Sequence, residues 1–355
     1  MNLKNLIIQN LKEIRKISRR DNKKTAFVIG NTAKFDKKGF FLTPIRIGEK
    51  IVSFGIILFK EKLAQQVTKL IDGKVNFIFV DAEKKTFFKN DREPSNIERR
   101  VKENNKKSKL LIFKGNDLTV DSIDLFLSHY FKNDLRGVGG KKIAIIGAGN
   151  IGSKIALNLV ERGAKVYLTR RNQKKLKSIC SAINFIKPKN CREKAHASNF
   201  SEACKNADIV IGTADGKEVI NLKMIKSAKK NCLIIDAGKG TISKEVLNYA
   251  SLIKKNIFRT NVTAAFEGLV SKSLSMQKDI SYGFNRKEIK GVNVVSSGLL
   301  GNYGEIIIDN LINPSQIYGI SDGKGDFLRK LNKKQFLQLT KIKKIILNNK
   351  YNEKH

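Results

Sequence analysis

The segment 141–171 constrains the fold of this chain more than any other, because it joins a glycine pattern to three secondary-structure signals. It reads KKIAIIGAGNIGSKIALNLVERGAKVYLTRR: a short apolar strand precedes GAGNIG, a helical pattern follows it, and a second apolar strand comes after Gly163. A glycine pattern in that setting predicts a strand–turn–helix unit that binds a dinucleotide. Gly147 would make the tight turn, Gly149 would let the pyrophosphate approach, and Gly152 would let the helix pack closely on the strand.

The first backbone amides of the predicted helix provide the anion site of this unit. Asn150 and Ile151 begin the helix, and the amides of a first helical turn have no partner within the helix. Their N–H groups and the positive end of the helix dipole favour a phosphate group. We expect the pyrophosphate of a dinucleotide to bind there; the alternative is a vestigial unit that serves only as a scaffold.

The residues at the end of the second strand predict which nicotinamide dinucleotide binds. NAD enzymes usually place an Asp or Glu there to bind the ribose hydroxyls. This chain instead has Thr169, Arg170 and Arg171, and a guanidinium group can bind a 2′-phosphate through charge-assisted hydrogen bonds. The predicted cofactor is therefore NADP. The alternative is that the two arginines stand there only because the chain is rich in basic residues.

Two later strand ends carry small residues that would leave room for the nicotinamide half of the cofactor. One strand runs into Gly212, Thr213 and Ala214, and another ends with Asp236 and Gly238. Because the carboxyl ends of parallel strands meet at one edge, both would line the same crevice as the glycine pattern. An ordinary strand-to-helix turn is the alternative for either strand end alone.

Strands and helices alternate along most of the chain, which predicts an α/β fold with mainly parallel sheets. The polar, glycine-bearing segment 132–140 divides this alternation into two parts. We predict a smaller N-terminal α/β domain at residues 1–135, which would bind the substrate and carry the catalytic residues. A doubly wound Rossmann domain that binds NADP would follow at residues 136–312.

The C-terminal third completes this plan. Seven strands are predicted in the Rossmann domain, of which the last is Val292–Val295 and ends at the same crevice. An apolar helix is predicted at Leu299–Ile312 and an amphipathic helix at Lys334–Leu347. The helices of 313–355 would pack back on the N-terminal domain.

Residues 117–240 resemble the NAD(P)-binding Rossmann enzymes that include shikimate/quinate dehydrogenase, glutamyl-tRNA reductase and methylene-tetrahydrofolate or methylene-tetrahydromethanopterin dehydrogenase. The resemblance rests on GAGNIG, YLTRRNQKKLKS, ADIVIGTADGKEVI and CLIIDAG. It implies a two-domain NADP enzyme. The Ser-x-Ser pair of shikimate dehydrogenases is absent from the N-terminal domain, which argues against shikimate as the substrate. No cysteine precedes Cys180, which argues against the nucleophilic cysteine of glutamyl-tRNA reductases.

Hydride transfer to a carbonyl or imine also needs one group that gives or takes a proton. The resemblance to shikimate dehydrogenase implies a Lys–Asp pair, and we place it at Lys84 and Asp117, which follow two strands of the N-terminal domain. The carboxylate would orient the ammonium group across the cleft. Asp121 is an equal rival of Asp117, and His129 and His196 are further alternatives.

The charge balance bears on the partners of the chain. Its 355 residues include 70 Lys and Arg against 32 Asp and Glu, so the formal net charge is +38. The lysines are scattered along the whole chain, as an AT-rich coding sequence would produce. We therefore predict a small-molecule substrate, anionic because the basic surface would attract it, rather than a nucleic acid. The longest apolar run, at residues 51–59, is too short to cross a bilayer, so no membrane partner is predicted.

Cysteine and histidine usage bears on metals and on location. Four cysteines and three histidines show neither a C-x-x-C pair nor zinc-ligand spacing, which predicts no metal site and reduced thiols in a cytoplasm. A homodimer is left open. The predicted function is an NADP-dependent oxidoreductase that acts on a small carbonyl/alcohol or imine/amine substrate in the interdomain cleft. The alternative is a non-catalytic dinucleotide-binding sensor or a nucleic-acid-associated Rossmann protein.

Replacement of Arg170 by Glu is expected to weaken NADPH binding by about tenfold or more, because a carboxylate repels the 2′-phosphate. Calorimetry of the wild type and of Arg170→Glu with NADPH and NADH measures this change, and the wild type should bind NADPH more tightly. Tighter binding of NADH by the wild type, or unchanged NADPH affinity in the variant, would contradict NADP as the cofactor.

Overall fold

The architecture comes from a computed structural model of the chain. The structure describes residues 2–32, 39–58, 60–85, 95–214, 216–282 and 285–352. Asp215, in the predicted strand end GTADG, lies outside these residues. The chain divides into two compact units, Met1–Glu267 and Gly268–His355.

The first part of the Met1–Glu267 unit is an α/β layer on a five-stranded sheet. Its elements are α1 (Leu3–Arg20), β1 (Lys24–Asn31), β2 (Phe40–Ile47), β3 (Ile51–Leu58), α2 (Glu61–Ile71), β4 (Phe77–Asp81), α3 (Ile97–Asn104), β5 (Lys109–Phe113) and α4 (Gly115–Tyr130). The strand order is β2-β3-β1-β4-β5, in which β2 is antiparallel to β3 and the other pairs are parallel. The carboxyl ends of β1, β4 and β5 therefore meet at one edge.

Apolar side chains hold this sheet together. A parallel sheet that is covered on both faces needs nearly continuous apolar strands, and every residue of β4 is buried. Phe27 of β1 packs edge-to-face against Phe54 of β3, with ring centroids 4.8 Å apart. α1 adds an apolar stripe at helical spacing, formed by Ile7, Leu11, Ile14 and Ile17.

The second part of the same unit is a six-stranded sheet with helices between its strands. Its elements are β6 (Lys142–Ile146), α5 (Asn150–Glu161), β7 (Lys165–Thr169), α6 (Gln173–Ile186), β8 (Ala195–Ala197), α7 (Phe200–Cys204), β9 (Ile209–Gly212), α8 (Leu222–Ser227), β10 (Leu233–Asp236), α9 (Lys244–Leu252) and β11 (Ile257–Arg259). All neighbouring strands are parallel, in the order β11-β10-β9-β6-β7-β8.

This strand order identifies the second part as a doubly wound domain. Counted from β6, the order is the 3-2-1-4-5-6 arrangement of dinucleotide-binding domains. The predicted α/β fold with mainly parallel sheets, in which a doubly wound sheet follows an N-terminal α/β part, is confirmed. The order reverses at β6, so the ligand crevice of such a sheet lies outside the carboxyl ends of β6, β7 and β9.

The Gly268–His355 unit contains a four-stranded sheet of its own. α10 (Thr263–Tyr282) begins just before the unit, and β12 (Arg286–Ile289), β13 (Val292–Ser296), β14 (Ile306–Ile308), β15 (Ile317–Ile320) and α11 (Lys333–Asn352) follow. The strand order is β12-β13-β14-β15. Ile342 and Ile346 of α11 are buried in the apolar core of this unit.

Two sequence-based predictions for this region are wrong. The predicted seventh Rossmann strand, Val292–Val295, is β13 and pairs with β12 and β14 in the separate sheet. The predicted helix at Leu299–Ile312 contains β14 instead. Three consecutive isoleucines are β-branched and favour a strand, and Gly301 and Gly304 weaken a helix just before them.

Other predictions for the C-terminal third have different outcomes. The helix predicted at Lys334–Leu347 is confirmed and lies within α11. The domain boundaries at 135 and 312, and the packing of 313–355 on the N-terminal domain, remain predictions. Among the described residues, no helix combines enough length and apolar character to cross a bilayer.

Candidate functional site

A tight turn at Gly147–Gly152, called the glycine turn below, joins β6 to α5. Gly147 has a φ of 123°, a conformation that favours glycine. The N–H groups of Gly147 and Ala148 both donate to the carbonyl oxygen of Thr169 at the end of β7, at 3.2 and 2.9 Å. The turn is therefore fixed between two adjacent strand ends.

Close packing explains the last glycine of the turn. A Cβ atom at Gly152 would lie 2.2 Å from the carbonyl oxygen of Gly147 and 2.7 Å from Oγ1 of Thr213. The Thr213 hydroxyl in turn donates to that same carbonyl oxygen at 2.6 Å. α5 can approach the turn this closely only because position 152 lacks a side chain.

The amino end of α5 is open. Gly149 is the N-cap residue and has no side chain that could cap the helix. A Cβ atom at Gly149 would meet nothing within 4 Å. The amides of Asn150 and Ile151 belong to the first turn, where backbone donors lack acceptors within the helix. Open space beside such donors fits a pyrophosphate group.

The two arginines after β7 have different surroundings. Nη1 of Arg170 donates to the carbonyl oxygen of Ala148, so this guanidinium group braces the glycine turn. Arg171 is exposed. Thr169 is fully buried, and its hydroxyl lies 3.4 Å from the carbonyl oxygen of Ile145. Of the three predicted residues, Arg171 is therefore the one whose side chain is most accessible to an anion.

The loops that follow β9 and β10 pack closely against each other through small residues. The carbonyl oxygen of Gly212 accepts from the N–H groups of Ala237 and Gly238, both at 2.8 Å. A Cβ atom at Gly238 would lie 1.9 Å from the carbonyl oxygen of Ala214, and one at Gly212 would lie 2.0 Å from Oγ1 of Thr241. Loop packing therefore requires both glycines. Contact of this edge with a nicotinamide group remains a prediction.

Asp236 holds the second of these loops from within. It is 3% exposed, and its carboxylate accepts from the N–H group of Gly240 at 2.8 Å and from the Thr241 hydroxyl at 2.8 Å. Burial acts to raise the pKa of Asp236, but these hydrogen bonds and the nearby Arg259 charge outweigh burial, so the pKa lies below its ordinary value. The carboxylate thus stabilises the loop that borders the crevice.

Sequence reasoning missed a buried ionic cluster at the carboxyl edge of the first sheet, called the Lys85 cluster below (Asn31, Asp81, Glu83 and Lys85). Nζ of Lys85 lies 2.7 Å from Asp81 and 2.9 Å from Glu83, and it donates to the carbonyl oxygen of Asn31 at 3.2 Å. Oδ1 of Asn31 is buried there without a hydrogen-bond partner. The available signal was the i, i+4 spacing of Asp81 and Lys85 directly after a buried strand.

The predicted catalytic pair is not formed among the described residues. Nζ of Lys84 donates to Oδ1 of Asn96 at 2.7 Å. Asp117 instead contacts Lys114 of its own turn, at 2.5 Å, and Lys154 of α5. The prediction of a direct contact between Lys84 and Asp117 is therefore wrong for the described residues, because each of the two side chains pairs with other residues instead. The catalytic role of either residue remains a prediction.

The surroundings of Asp117 keep its carboxylate ionised. Partial burial acts to raise the pKa of Asp117, but the hydrogen bonds and charges of Lys114 and Lys154 outweigh burial, so the pKa lies below its ordinary value. Such a carboxylate can orient an ammonium group or accept a proton, but it does not donate one at neutral pH. Of the alternatives, His129 is exposed, and His196 stacks on Tyr167 at 5.0 Å between ring centroids.

The buried cysteines are not activated. Burial raises the pKa of Cys180 to about 11, of Cys204 to about 12 and of Cys232 to about 11. Since the thiolate is the reactive form, these thiols are not nucleophiles at neutral pH. Within the described ranges, no three His, Cys, Asp or Glu side chains gather where they could hold a metal ion.

A segment of the first unit that covers less than a third of the chain matches a family model. Residues 142–240 match the family model described as NADP oxidoreductase coenzyme F420-dependent. This segment begins at β6 and includes the glycine turn and the ends of β7, β9 and β10. The match supports an oxidoreductase role.

Two curated proteins are similar over limited segments. Glutamyl-tRNA reductase of Thermosipho melanesiensis (strain DSM 12029 / CIP 104789 / BI429) is 30% identical over 105 residues, which are 28% of this chain and 25% of that protein. Dehydrogenase/reductase SDR family member 4 of Caenorhabditis elegans is 27% identical over 128 residues, 36% of this chain and 45% of that protein. The chain thus spans less than half the length of either relative. The predicted resemblance to NAD(P)-binding Rossmann enzymes is confirmed for the cofactor segment, and no specific member is identified.

Solved structures resemble the chain remotely. L-tryptophan dehydrogenase from Nostoc punctiforme has 13% identity and a TM-score of 0.41, and the likeness covers 73% of this chain and 79% of that chain. Ornithine carbamoyltransferase from Campylobacter jejuni subsp. jejuni NCTC 11168 has 15% identity and a TM-score of 0.38, with 79% and 98% covered. These values add no argument about function.

A side chain at Gly152 would collide with backbone, whereas one at Gly149 would meet open space, and substitution by alanine tests this difference. Gly152→Ala should lower the free energy of unfolding by about 1–3 kcal/mol, because the new methyl group meets backbone. Gly149→Ala should leave stability nearly unchanged and weaken NADPH binding. Thermal denaturation and calorimetry measure the two effects. Gly268→Ala, whose Cβ also meets nothing within 4 Å, serves as the control. Wild-type NADPH affinity in Gly149→Ala would refute the open-site interpretation.

The buried Asp236 carboxylate predicts a pH-dependent stability. Because its pKa is lowered in the folded protein, its contribution is present above the ordinary carboxyl pKa of about 4 and fades as the pH falls through the lowered value. Asp236→Asn should cost about 1–3 kcal/mol at neutral pH, and its difference from the wild type should shrink in acid. Denaturant unfolding over this pH range measures it, with exposed Asp121→Asn as the control. A difference independent of pH would show that the charge is irrelevant.

Proposed function

We propose that the chain is an NADP-dependent oxidoreductase, which transfers a hydride between NADP(H) and a small anionic substrate with a carbonyl/alcohol or imine/amine group. One observation carries the proposal: the uncapped amino end of α5 faces open space at Gly149, and Arg171 is exposed after the adjacent strand. Open backbone donors fit a pyrophosphate, and a guanidinium group fits a 2′-phosphate.

NADP is preferred over NAD because no carboxylate directly follows β7. The residues there are Thr169, Arg170 and Arg171, whereas a site for NAD usually has an acidic residue that binds the ribose hydroxyls. The description of the matched family names NADP and coenzyme F420. It supports the choice of dinucleotide and makes reduced coenzyme F420 a second hydride donor to test.

The chain's own residues would hold the cofactor, which when bound supplies the hydride. The amides of Asn150 and Ile151 would donate to the pyrophosphate, and Arg171 would bind the 2′-phosphate. The edge formed by residues 212–214 and Gly238 would border the nicotinamide ribose. Arg170 would act indirectly, since it donates to the Ala148 carbonyl oxygen and so braces the turn.

We place the substrate at the carboxyl edge of the first sheet. Among the described residues, Oδ1 of Asn31 is a buried acceptor without a partner, and a substrate hydroxyl or amine would satisfy it. Lys84 follows β4 with its side chain 40% exposed, and it would supply the proton. Ionised Asp117 would act as an acceptor or as an orienting group. The net charge of +38 would draw an anionic substrate to the protein.

Turnover of a defined panel tests the proposal. The wild type should bind NADPH in calorimetry and oxidise it with at least one 2-oxo acid, offered with and without ammonium ions, or reduce NADP⁺ with a matching 2-hydroxy or 2-amino acid or with reduced coenzyme F420. Lys84→Ala or Asp117→Ala should then lower kcat by about a hundredfold or more. Lys102→Ala, which removes only a surface pair with Glu98, is the control.

Two results would count against the proposal. Absence of dinucleotide binding by the folded chain would overturn it entirely. NADPH binding without turnover, combined with salt-dependent retention on a polyanion column, would instead favour a non-catalytic sensor or a nucleic-acid-associated protein, the alternative for which the net charge of +38 argues.

A further inference from the structure

Two helices begin side by side at the crevice. Nδ2 of Asn116, in the first turn of α4, donates to Oδ1 of Asn150, the first residue of α5, at 3.2 Å. Near the other end of α5, Arg162 pairs with Asp124 of α4 at 2.5 Å. The helices therefore run in the same direction, and their positive ends lie together.

The two helix ends differ in what satisfies their amides. The N–H group of Gly115 donates to Asp81 at 3.1 Å, and that of Asn116 donates to Glu83 at 2.8 Å. Two carboxylates of the Lys85 cluster thus cap α4 from within the protein. At α5 the N-cap residue is Gly149, which has no side chain, and no other side chain among the described residues accepts from the amides of Asn150 and Ile151. An external anion is consequently directed to α5 and excluded from α4.

The Asn116–Asn150 hydrogen bond orients the side-chain amide of Asn150 at the start of α5. A carboxamide has an acceptor on one side and two donors on the other. Because Oδ1 of Asn150 accepts from Asn116, the Nδ2 donors of Asn150 are turned away from α4. Asn150 is exposed and follows Gly149, where a side chain would meet open space.

We propose that Asn116 is a positioning residue for the cofactor: it orients Asn150 so that Nδ2 of Asn150 donates to a pyrophosphate oxygen of the dinucleotide. This inference rests on the proposed function. It makes the first α/β layer part of cofactor recognition, because Asn116 is held through its backbone by Glu83. The pyrophosphate then binds the backbone amides of α5 and the side-chain amide of Asn150, whose orientation is fixed by Asn116 of the first α/β layer.

The hydrogen bond itself is too exposed to hold the fold. Asn150 is exposed and Asn116 is half-buried, so losing their bond should change stability little. The ion pair of Asp117 with Lys154 also joins the two helices and involves neither of these side-chain amides. Effects of substitution on ligand affinity can therefore be separated from effects on folding.

A double-mutant cycle on NADPH affinity tests the inference. Asn116→Ala and Asn150→Ala should each weaken NADPH binding by about three- to tenfold, which is the worth of one hydrogen bond. The double variant should bind no more weakly than Asn150→Ala alone, since Asn116 acts only through Asn150. Asn133→Ala, at an exposed asparagine beyond the end of α4, is the control.

A second ligand and a second variant make the result specific. The affinity for adenosine 2′-monophosphate, which lacks the pyrophosphate, should not change in any variant, whereas general damage to the site would lower it. Asn116→Leu keeps the side-chain length and should reproduce Asn116→Ala if the alanine variant folds poorly. Unchanged NADPH affinity in the Asn116 variants, or additive losses in the double variant, would overturn the inference and leave the proposed function intact. Failure of the wild type to bind NADPH would overturn both.

Discussion

The packing of the glycine turn, of α5 and of the loop after β9 depends on the carbonyl oxygen of Gly147. The Thr213 hydroxyl donates to it from the neighbouring loop, and a Cβ atom at Gly152 would collide with it. This contact holds the end of β6, the start of α5 and the loop after β9 in one place. Because the backbone of α5 lies so close to the turn, its first amides are presented at the sheet edge. The same geometry leaves the space beside Gly149 open.

Carboxylates beside the crevice act as internal ligands in a chain that is otherwise strongly basic. Asp81 is buried, pairs with Lys85 and caps α4. Asp117 joins α4 to α5, and Asp236 closes the loop after β10. Each has its charge satisfied by backbone amides or ammonium groups, so burial costs less than it would for an isolated charge. Among the residues that the structure describes, the amino end of α5 has no such internal partner. That difference between neighbouring helix ends is the basis for the proposed anion site at α5.

The contacts between α4 and α5 connect the two layers of the first unit chemically as well as mechanically. The Lys85 cluster fixes the backbone of Asn116, and the side chain of Asn116 contacts the first residue of α5. A substrate placed at the first sheet would therefore lie close to residues that set the cofactor site. Such an arrangement suits hydride transfer, in which the enzyme contributes mainly orientation and one proton.

The sequence by itself determined what depends on local spacing. GAGNIG between an apolar strand and a helical pattern was enough to predict the turn and the helix, since both follow from residues close in the chain. The repeated alternation of strands and helices was enough to predict a doubly wound sheet. Only the tertiary structure decided which distant segments meet. In the folded chain Lys85, rather than Lys84, pairs with the carboxylate of Asp81 at the end of β4. Asp117 pairs with Lys154, and Val292–Val295 lies in a separate sheet. Periodicity reports which face of a strand or helix is buried, but it carries no information about the partner that buries it.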